Sequence, residues 1–195
     1  MLDKNEVLTD PQKLVRLELK NKGFDIDTMK VPERVFLLAD SLYDAMISRN
    51  CGEYKYPLGG KLFVFKENET VGFIKGHMCS PAIATQAEDL IAGGVKELIA
   101  KNTIKYRRGN HWTTDAGYRE TWGQVIEYRE KGALCVEMEG VGLFTIANYR
   151  NCVASAMYVV SDVYVEDDWK LGWGENVLEE AATKVIDMIV EAVRK

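Results

Sequence analysis

Three carboxylates in the second half of the chain stand next to predicted buried strands. Glu137 and Glu139 follow the apolar run 133–136 at the start of a predicted helix, and Asp162 follows the apolar run 152–160. Open α/β sheets bind ligands in the crevice at the carboxyl ends of their strands. A carboxylate accepts hydrogen bonds from hydroxyl groups when ionised, and it donates a proton to a leaving group when protonated. The pattern therefore places these carboxylates at the ligand crevice of such a sheet.

The same residue types also have a structural interpretation. Acidic side chains at a helix start stabilise the helix dipole, and a Ser-Asp pair after a strand, here Ser161 and Asp162, is common in turns and caps. Residue types alone leave both interpretations open. The functional one is favoured by the combination, because all these carboxylates fall in one β-α-β unit.

The elements that must position these residues alternate between strand and helix. Strands are predicted at 34–38, 95–100, 133–136 and 152–160, a hairpin at 62–65 and 71–74, and helices at 40–49, 80–92, 122–130, 140–147 and 175–195. This alternation predicts a three-layer α/β/α sandwich with a mixed central sheet, in a single domain over residues 1–195. Residues 1–30 are expected to form an arm on the surface or on a partner subunit, and residues 163–174 a polar loop.

Composition narrows the functional classes. A chain of 195 residues is long enough for one well-buried domain. Its net charge of −5 argues against binding to nucleic acid or to an anionic membrane. No apolar run is long enough to span a bilayer and no signal sequence opens the chain, so the expected location is the cytoplasm. The four cysteines lack CxxC spacing and the two histidines lie far apart, so neither a disulfide framework nor a metal site is expected.

Three segments carry a resemblance to a known family. The sequence VEMEG at 136–140, followed by a predicted strand ending in VSD at 160–162, resembles the nucleoside phosphorylase superfamily. That superfamily covers purine nucleoside and uridine phosphorylases and the related nucleosidases. The segment WTTDAGYRET at 112–121 is similar to its nucleobase-pocket segment, and GHMCSP at 76–81 is a further match. The segments occur in the family's order, from about Val35 to the C-terminus.

The resemblance implies roles for the sugar-binding residues. Glu139 is the carboxylate that holds the ribose hydroxyls, Met138 packs on the sugar and Glu137 supports both. Met78, from the segment at 76–81, is also expected at the ribose. No metal ligand is implied.

It also implies roles at the nucleobase. Asp162 is the expected catalytic residue, which in purine-specific relatives donates a proton to the base. Thr114, Tyr118, Arg119 and Ser161 are expected to bind the base, with Tyr118 available to stack and Arg119 to hydrogen-bond a carbonyl.

The implied activity is phosphorolysis of a purine or pyrimidine nucleoside to the free base and ribose 1-phosphate, with phosphate as co-substrate and no cofactor. The implied assembly is a homo-oligomer, either a dimer or a hexamer. The pattern departs from the family after Ala100, where the family's phosphate-binding loop and several dozen residues are absent, so the phosphate ligands stay unknown. A hydrolytic nucleosidase and a non-catalytic nucleoside-binding protein are the alternatives.

Overall fold

The computed structural model describes residues 11–49, 51–54, 60–78, 80–92, 95–98, 107–165, 168–172 and 176–194. The helices are α1 (Pro11–Asn21), α2 (Asp40–Ile47), α3 (Ser80–Ala92), α4 (Trp122–Glu130), α5 (Gly140–Tyr149) and α6 (Asn176–Val193), with a 3-10 turn at Gly117–Arg119. The strands are β1 (Arg34–Leu38), β2 (Cys51–Tyr54), β3 (Leu62–Phe65), β4 (Asn68–Lys75), β5 (Glu97–Leu98), β6 (Asn110–Thr113), β7 (Ala133–Glu137), β8 (Val153–Ala154), β9 (Asp162–Val165) and β10 (Asp168–Leu171).

Six of these strands form a mixed sheet in the order β2-β3-β4-β1-β5-β8. The pairs β1–β4, β1–β5 and β5–β8 are parallel, whereas β2–β3 and β3–β4 are antiparallel. The predicted hairpin is therefore present as β3–β4. Two smaller sheets pair β6 with β7 in parallel and β9 with β10 in antiparallel.

Successive side chains of the central strands point to opposite faces of the sheet and pack in two separate cores. Val35 and Ile74 pack in a core with residues of α1, α3 and α5, whereas Phe36 and Phe73 pack in a second core with residues of α2 and α6. Each fully buried apolar side chain contributes about 1.5–3 kcal/mol through removal from water. Because helices cover both faces of one mixed sheet, the predicted three-layer α/β architecture is confirmed.

Helix α1 belongs to the core and is not only a surface arm. Val15 and Leu19 of α1 are buried in the first core, while Leu14 and Leu17 are exposed. The arm expected on the surface or on a partner subunit thus packs, over this helix, against the first core. The apolar positions at 15 and 19 are four residues apart, so they lie on one helical face that the core covers.

The predicted strand at 152–160 is much shorter in the structure. Only Val153 and Ala154 pair with β5. Beyond this pair, Met157 and Val159 still pack against the second core. A strand requires a neighbour that supplies hydrogen bonds, and among the described residues β5 supplies them only at 97–98. Residues 99–106, where the family resemblance breaks, lie outside the described residues.

Asp162 begins a strand instead of following one. It is the first residue of β9, and it pairs with Leu171 of β10. The predicted polar loop at 163–174 is therefore largely a hairpin, because tyrosine, valine and tryptophan side chains in this stretch favour extended pairing. This hairpin carries Asp162 and Trp169 on neighbouring strands.

The predicted nucleobase segment, residues 112–121, spans the end of β6 and the connection from β6 to α4. Helix α4 begins with a capping box, in which the Thr121 side chain accepts from Gln124 N and the Gln124 side chain accepts from Thr121 N. It ends before Gly132, whose φ of +85° is readily adopted by glycine. The helix at 122–130 is confirmed as predicted.

Helix α6 carries a regular apolar stripe. Val185, Ile186, Ile189 and Val193 are buried against the second core. No helix among the described residues, α6 included, has the length and apolar character needed to cross a membrane.

Candidate functional site

A buried carboxylate, Glu137, organises the turn between β7 and α5. Glu137 is only 8% exposed. Its Oε1 accepts a short hydrogen bond from the Thr113 hydroxyl and lies 3.0 Å from His111 Nδ1. Its Oε2 accepts from the backbone N–H of Glu139, at 2.7 Å, and from that of Gly140. Both oxygens are therefore occupied, by side chains of β6 on one side and by the helix start on the other.

This network determines the charge of Glu137. Burial alone would raise the pKa of its carboxyl group. Hydrogen bonds from Thr113, from the Glu139 and Gly140 amides and from His111 outweigh burial and hold the pKa below its ordinary value. Glu137 is thus an ionised acceptor at neutral pH and not a proton donor.

A close approach at Gly140 leaves no room for a side chain. A Cβ atom there would overlap His111 Cε1 and lie 2.7 Å from Glu137 Oε1. Glycine is therefore required for Glu137 to bind the helix N-terminus while His111 packs beside it.

Aromatic rings enclose the other side of the network. The His111 ring lies 5.8 Å from that of Phe144 and 5.4 Å from that of Tyr158, between centroids. The Tyr158 hydroxyl is buried and interacts with the Glu137 carboxylate. Burial and the adjacent Glu137 carboxylate raise the pKa of Tyr158, so its phenol stays protonated. The Glu137 carboxylate itself is thus largely removed from solvent.

Sequence reasoning missed His111, Thr113 and Tyr158. One signal was present for the first two, since residues two apart in a strand project from the same face. Nothing in the sequence indicated that this face meets Glu137, because the contact joins residues 26 positions apart.

Glu139 occupies the N-cap position of α5, but its carboxylate makes no capping hydrogen bond. The Glu139 Oε2 atom instead accepts from the backbone N–H of Met138 at 3.2 Å. Both residues are partly buried. Because Glu137 binds the first helical amides, the structural explanation for an acid at this turn applies to Glu137 and not to the side chain of Glu139.

Asp162 accepts hydrogen bonds on both carboxylate oxygens. Oδ2 accepts from the Ser161 hydroxyl at 2.5 Å, and Oδ1 accepts from the Trp169 indole Nε1 at 2.9 Å. The hairpin β9–β10 thus orients the predicted catalytic carboxylate through a side chain of its second strand.

A cavity of about 140 Å³ lies beside this hairpin. Its lining consists of Glu120, Thr121, Trp122, Val125, Tyr164, Asp168 and Trp169. The Tyr164 hydroxyl donates to Glu120 Oε2 at 2.7 Å. Burial, followed by this hydrogen bond and the charges of Glu120 and Asp162, raises the pKa of Tyr164 to about 12. None of the residues predicted to bind sugar or base lines this cavity.

The remaining predicted residues lie in different surroundings. The Thr114 backbone N–H donates to Glu137 O at 2.8 Å, which joins the base segment to the sugar segment. Tyr118 is fully exposed, Arg119 is exposed on the 3-10 turn, and Met78 is 74% exposed. The structure therefore brings Thr114, Glu137, Met138 and Glu139 together and leaves Met78, Tyr118 and Arg119 at the surface.

No cluster of three His, Cys, Asp or Glu side chains suited to a metal ion occurs in the described part of the chain. Cys51 and Cys135 are free thiols and are partly buried. Burial raises the pKa of both, so these two thiols are protonated and weakly reactive at neutral pH.

Comparison with known proteins identifies the family. A family model described as the phosphorylase superfamily matches residues 35–194. Among solved structures, the chain is similar to a Weissella paramesenteroides protein described as a methylthioadenosine nucleosidase. The TM-score is 0.58 at 12% sequence identity, and the alignment covers 83% of this chain and 96% of that one. At this identity the structural likeness concerns the fold.

Proposed function

Since the chain belongs to the phosphorylase superfamily, we propose that it cleaves the N-glycosidic bond of a nucleoside with phosphate, giving free base and ribose 1-phosphate. The single observation that carries this proposal is that Glu137 and Glu139, in the same turn, make different contacts with α5. Glu137 binds the N-terminus of α5, and the Glu139 carboxylate makes no capping hydrogen bond to that helix. Hydrogen bonds from a ligand to Glu139 would therefore not disrupt a side-chain cap of α5.

Glu139 accepts hydrogen bonds from the ribose 2′ and 3′ hydroxyls in this proposal. A charged acceptor strengthens such bonds, and it also stabilises positive charge that develops on the sugar in the transition state. Met138, beside it in the turn, packs on the sugar, and Met78 contributes apolar surface. Glu137 acts as a positioning residue, because it holds the turn through two backbone amides.

Asp162 is the proposed general acid. The C1′–N bond breaks, a phosphate oxygen forms a new bond to C1′, and the departing base takes the bond's electron pair together with the Asp162 proton. Solvent then returns a proton to Asp162. The two donors that now point at Asp162, Ser161 and Trp169, orient its oxygens. Thr114, Tyr118 and Arg119 contribute to base binding.

Hydrolysis is the second candidate function. A solved structure of similar fold is described as a methylthioadenosine nucleosidase, and the family's phosphate-binding loop is absent from this sequence after Ala100. Water as the attacking group would give free ribose and would need no anion site.

The exposed residues near the turn support a homo-oligomer. Met78 and Tyr118, which are proposed to bind the sugar and the base, are exposed, as is Val141, two residues after Glu139. A second copy that covered them would exclude water from the reaction. Light scattering of the purified chain tests this arrangement, and a monomer at micromolar concentration would contradict it.

The function is tested by mixing the purified chain with inosine, adenosine, methylthioadenosine and uridine, with and without phosphate. We expect base release that depends on phosphate and yields ribose 1-phosphate. Release of free ribose without phosphate would replace phosphorolysis by hydrolysis. Nucleoside binding with no base release under any condition would mean that the chain binds nucleosides without cleaving them.

A further inference from the structure

The cavity beside the β9–β10 hairpin has aromatic walls, formed by Trp122, Tyr164 and Trp169. The Trp122 and Tyr164 ring centroids lie 5.6 Å apart with their planes at 69°, and those of Tyr164 and Trp169 lie 6.3 Å apart with their planes at 27°. Trp122 is 38% exposed and Trp169 is 48% exposed, so solvent reaches both indoles. We refer to these rings with Glu120 and Asp168 as the aromatic pocket.

The aromatic pocket is electronegative. Glu120 and Asp168 carry the only formal charges among its described lining residues. The faces of the aromatic rings are also negative, because their π electrons form a quadrupole. The raised pKa of Tyr164, to which Glu120 and Asp162 contribute after burial, is consistent with this field. Such a pocket attracts cations and repels phosphate and carboxylate groups.

The size of the pocket limits its ligand. An engineered protein cavity of about 150 Å³ holds one benzene molecule, and the aromatic pocket measures about 140 Å³. The part of a ligand that enters it is therefore about the size of a trimethylammonium group or one six-membered ring.

Aromatic faces prefer weakly hydrated cations. Quaternary and alkylated ammonium groups are recognised in proteins by aromatic cages, because they lose little hydration energy on leaving water and gain cation–π attraction. A metal ion would require several oxygen ligands, and no described group of acidic side chains provides them.

We propose that the aromatic pocket formed by Trp122, Tyr164, Trp169, Glu120 and Asp168 binds a small organic cation with an alkylated ammonium group. The lining contains none of the proposed sugar or base residues, but the pocket adjoins the proposed catalytic residue, because Trp169 donates a hydrogen bond to Asp162. Its assignment rests on ring geometry, charge and volume together.

The test compares choline with 3,3-dimethyl-1-butanol, which has the same shape but no charge. Titrations of the full-length, ¹⁵N-labelled chain are followed at the tryptophan indole N–H resonances, assigned by single Trp→Phe variants. We expect choline to shift the Trp122 and Trp169 resonances in a saturable way. Trp112, whose ring stacks on Tyr128 at 4.5 Å and lies outside the pocket, is the internal control and should not shift.

Two variants examine the source of the affinity. Trp122→Leu keeps apolar surface but removes a π face, and Asp168→Asn removes a charge. Each should weaken choline binding by roughly tenfold without changing the binding of the neutral alcohol, as expected for a partly desolvated cation–π site. Asp44→Asn, an exposed position on α2, is the charge-matched control.

Equal affinities for choline and the alcohol would overturn the proposal, because the pocket would then be merely apolar. Absence of a saturable shift at Trp122 and Trp169 would also overturn it. Circular dichroism and the thermal midpoint of each variant establish that it is folded before titration.

Discussion

His111 Nδ1 lies 3.0 Å from Glu137 Oε1, although 26 positions separate the two residues in the chain. The contact joins the middle of β6 to the last residue of β7. Thr113, two residues further along β6, donates to the same oxygen. The turn that presents Met138 and Glu139 is thereby fixed from the side of a different strand.

Replacement of Glu137 by glutamine should destabilise the fold. The amide group offers one acceptor oxygen where the carboxylate offers two, so at least one of its four donors is left unsatisfied, at about 1–3 kcal/mol in the free energy of unfolding. Urea unfolding at pH 7 measures this difference. Glu127→Gln is the control, because that exposed side chain pairs with Lys131 on the surface and its loss should cost less than about 0.5 kcal/mol. Equal losses in the two variants would contradict the buried network.

The stability difference between the natural chain and Glu137→Gln should depend on pH. The pKa of Glu137 is lower in the folded chain than its ordinary value of 4.5. Its contribution to stability is therefore complete above that value and is lost as the pH falls through the folded pKa. The difference in unfolding free energy between the natural chain and Glu137→Gln should shrink below about pH 4.5. A difference that grows on acidification would show that the pKa is raised instead.

Gly140→Ala should also destabilise the turn. The added methyl group would overlap His111 and approach Glu137 Oε1, so the side chains must move, at about 1–3 kcal/mol. Gly123→Ala in α4 is the matched control, since the nearest heavy atom, Thr121 Oγ1, is 3.8 Å away. That replacement should be neutral or should stabilise the helix by up to about 1 kcal/mol. Thermal unfolding of both variants decides between these outcomes.

Leu19→Ala should lower the stability far more than Leu17→Ala. Leu19 is fully buried in the first core, whereas Leu17 on the same helix is 57% exposed. A buried leucine truncated to alanine costs about 2–5 kcal/mol, and an exposed one changes stability by about 0.5 kcal/mol at most. Denaturant unfolding of the two variants measures the contrast. Similar small effects would mean that α1 does not pack on the sheet in solution.

Glu139→Gln should reduce nucleoside cleavage without loss of folding. A hydrogen bond to a charged group contributes about 1.5–3 kcal/mol, which corresponds to roughly a 10- to 150-fold fall in kcat/KM. The control is Glu130→Gln, at an exposed position at the end of α4. If Glu139→Gln unfolds while Glu130→Gln does not, Glu139 has a structural role instead.

Asp162→Asn should lower the rate of purine nucleoside cleavage by about two to four orders of magnitude, the usual contribution of a general acid. The fall should be smaller for uridine, because carbonyl oxygens stabilise a departing pyrimidine. Initial rates with inosine and uridine provide the comparison. Asp187→Asn, which only breaks a surface ion pair with Arg49, is the control. An equal fall for both nucleosides would argue against proton donation by Asp162.

The sequence predicted those elements whose pattern is local. The stripe of α6, the capping box and glycine around α4, and the apolar run of β7 each carry their signal within a few residues. The predicted strand at 152–160 failed because its length depends on a partner strand elsewhere in the chain. Apolar residues alone do not reveal how many hydrogen bonds that partner supplies.

The candidate site was also predicted only where its signal is local. The acidic residues at 137–139 predicted a site at this turn, but the different roles of Glu137 and Glu139 depend on which of them contacts β6. The aromatic pocket was not foreseen, since Trp122 and Trp169 are brought together only through Tyr164.

The two outer strands of the six-stranded sheet affect the tendency of the chain to aggregate at high concentration. Exposed strand edges are templates for intermolecular pairing and aggregation. One edge is β8, which is only two residues long, and the other is β2, which presents the charged side chain of Glu53. A short edge and a charged edge both discourage the addition of a further strand. We therefore expect the folded chain to resist edge-to-edge fibril growth, even though Val153 leaves apolar surface exposed.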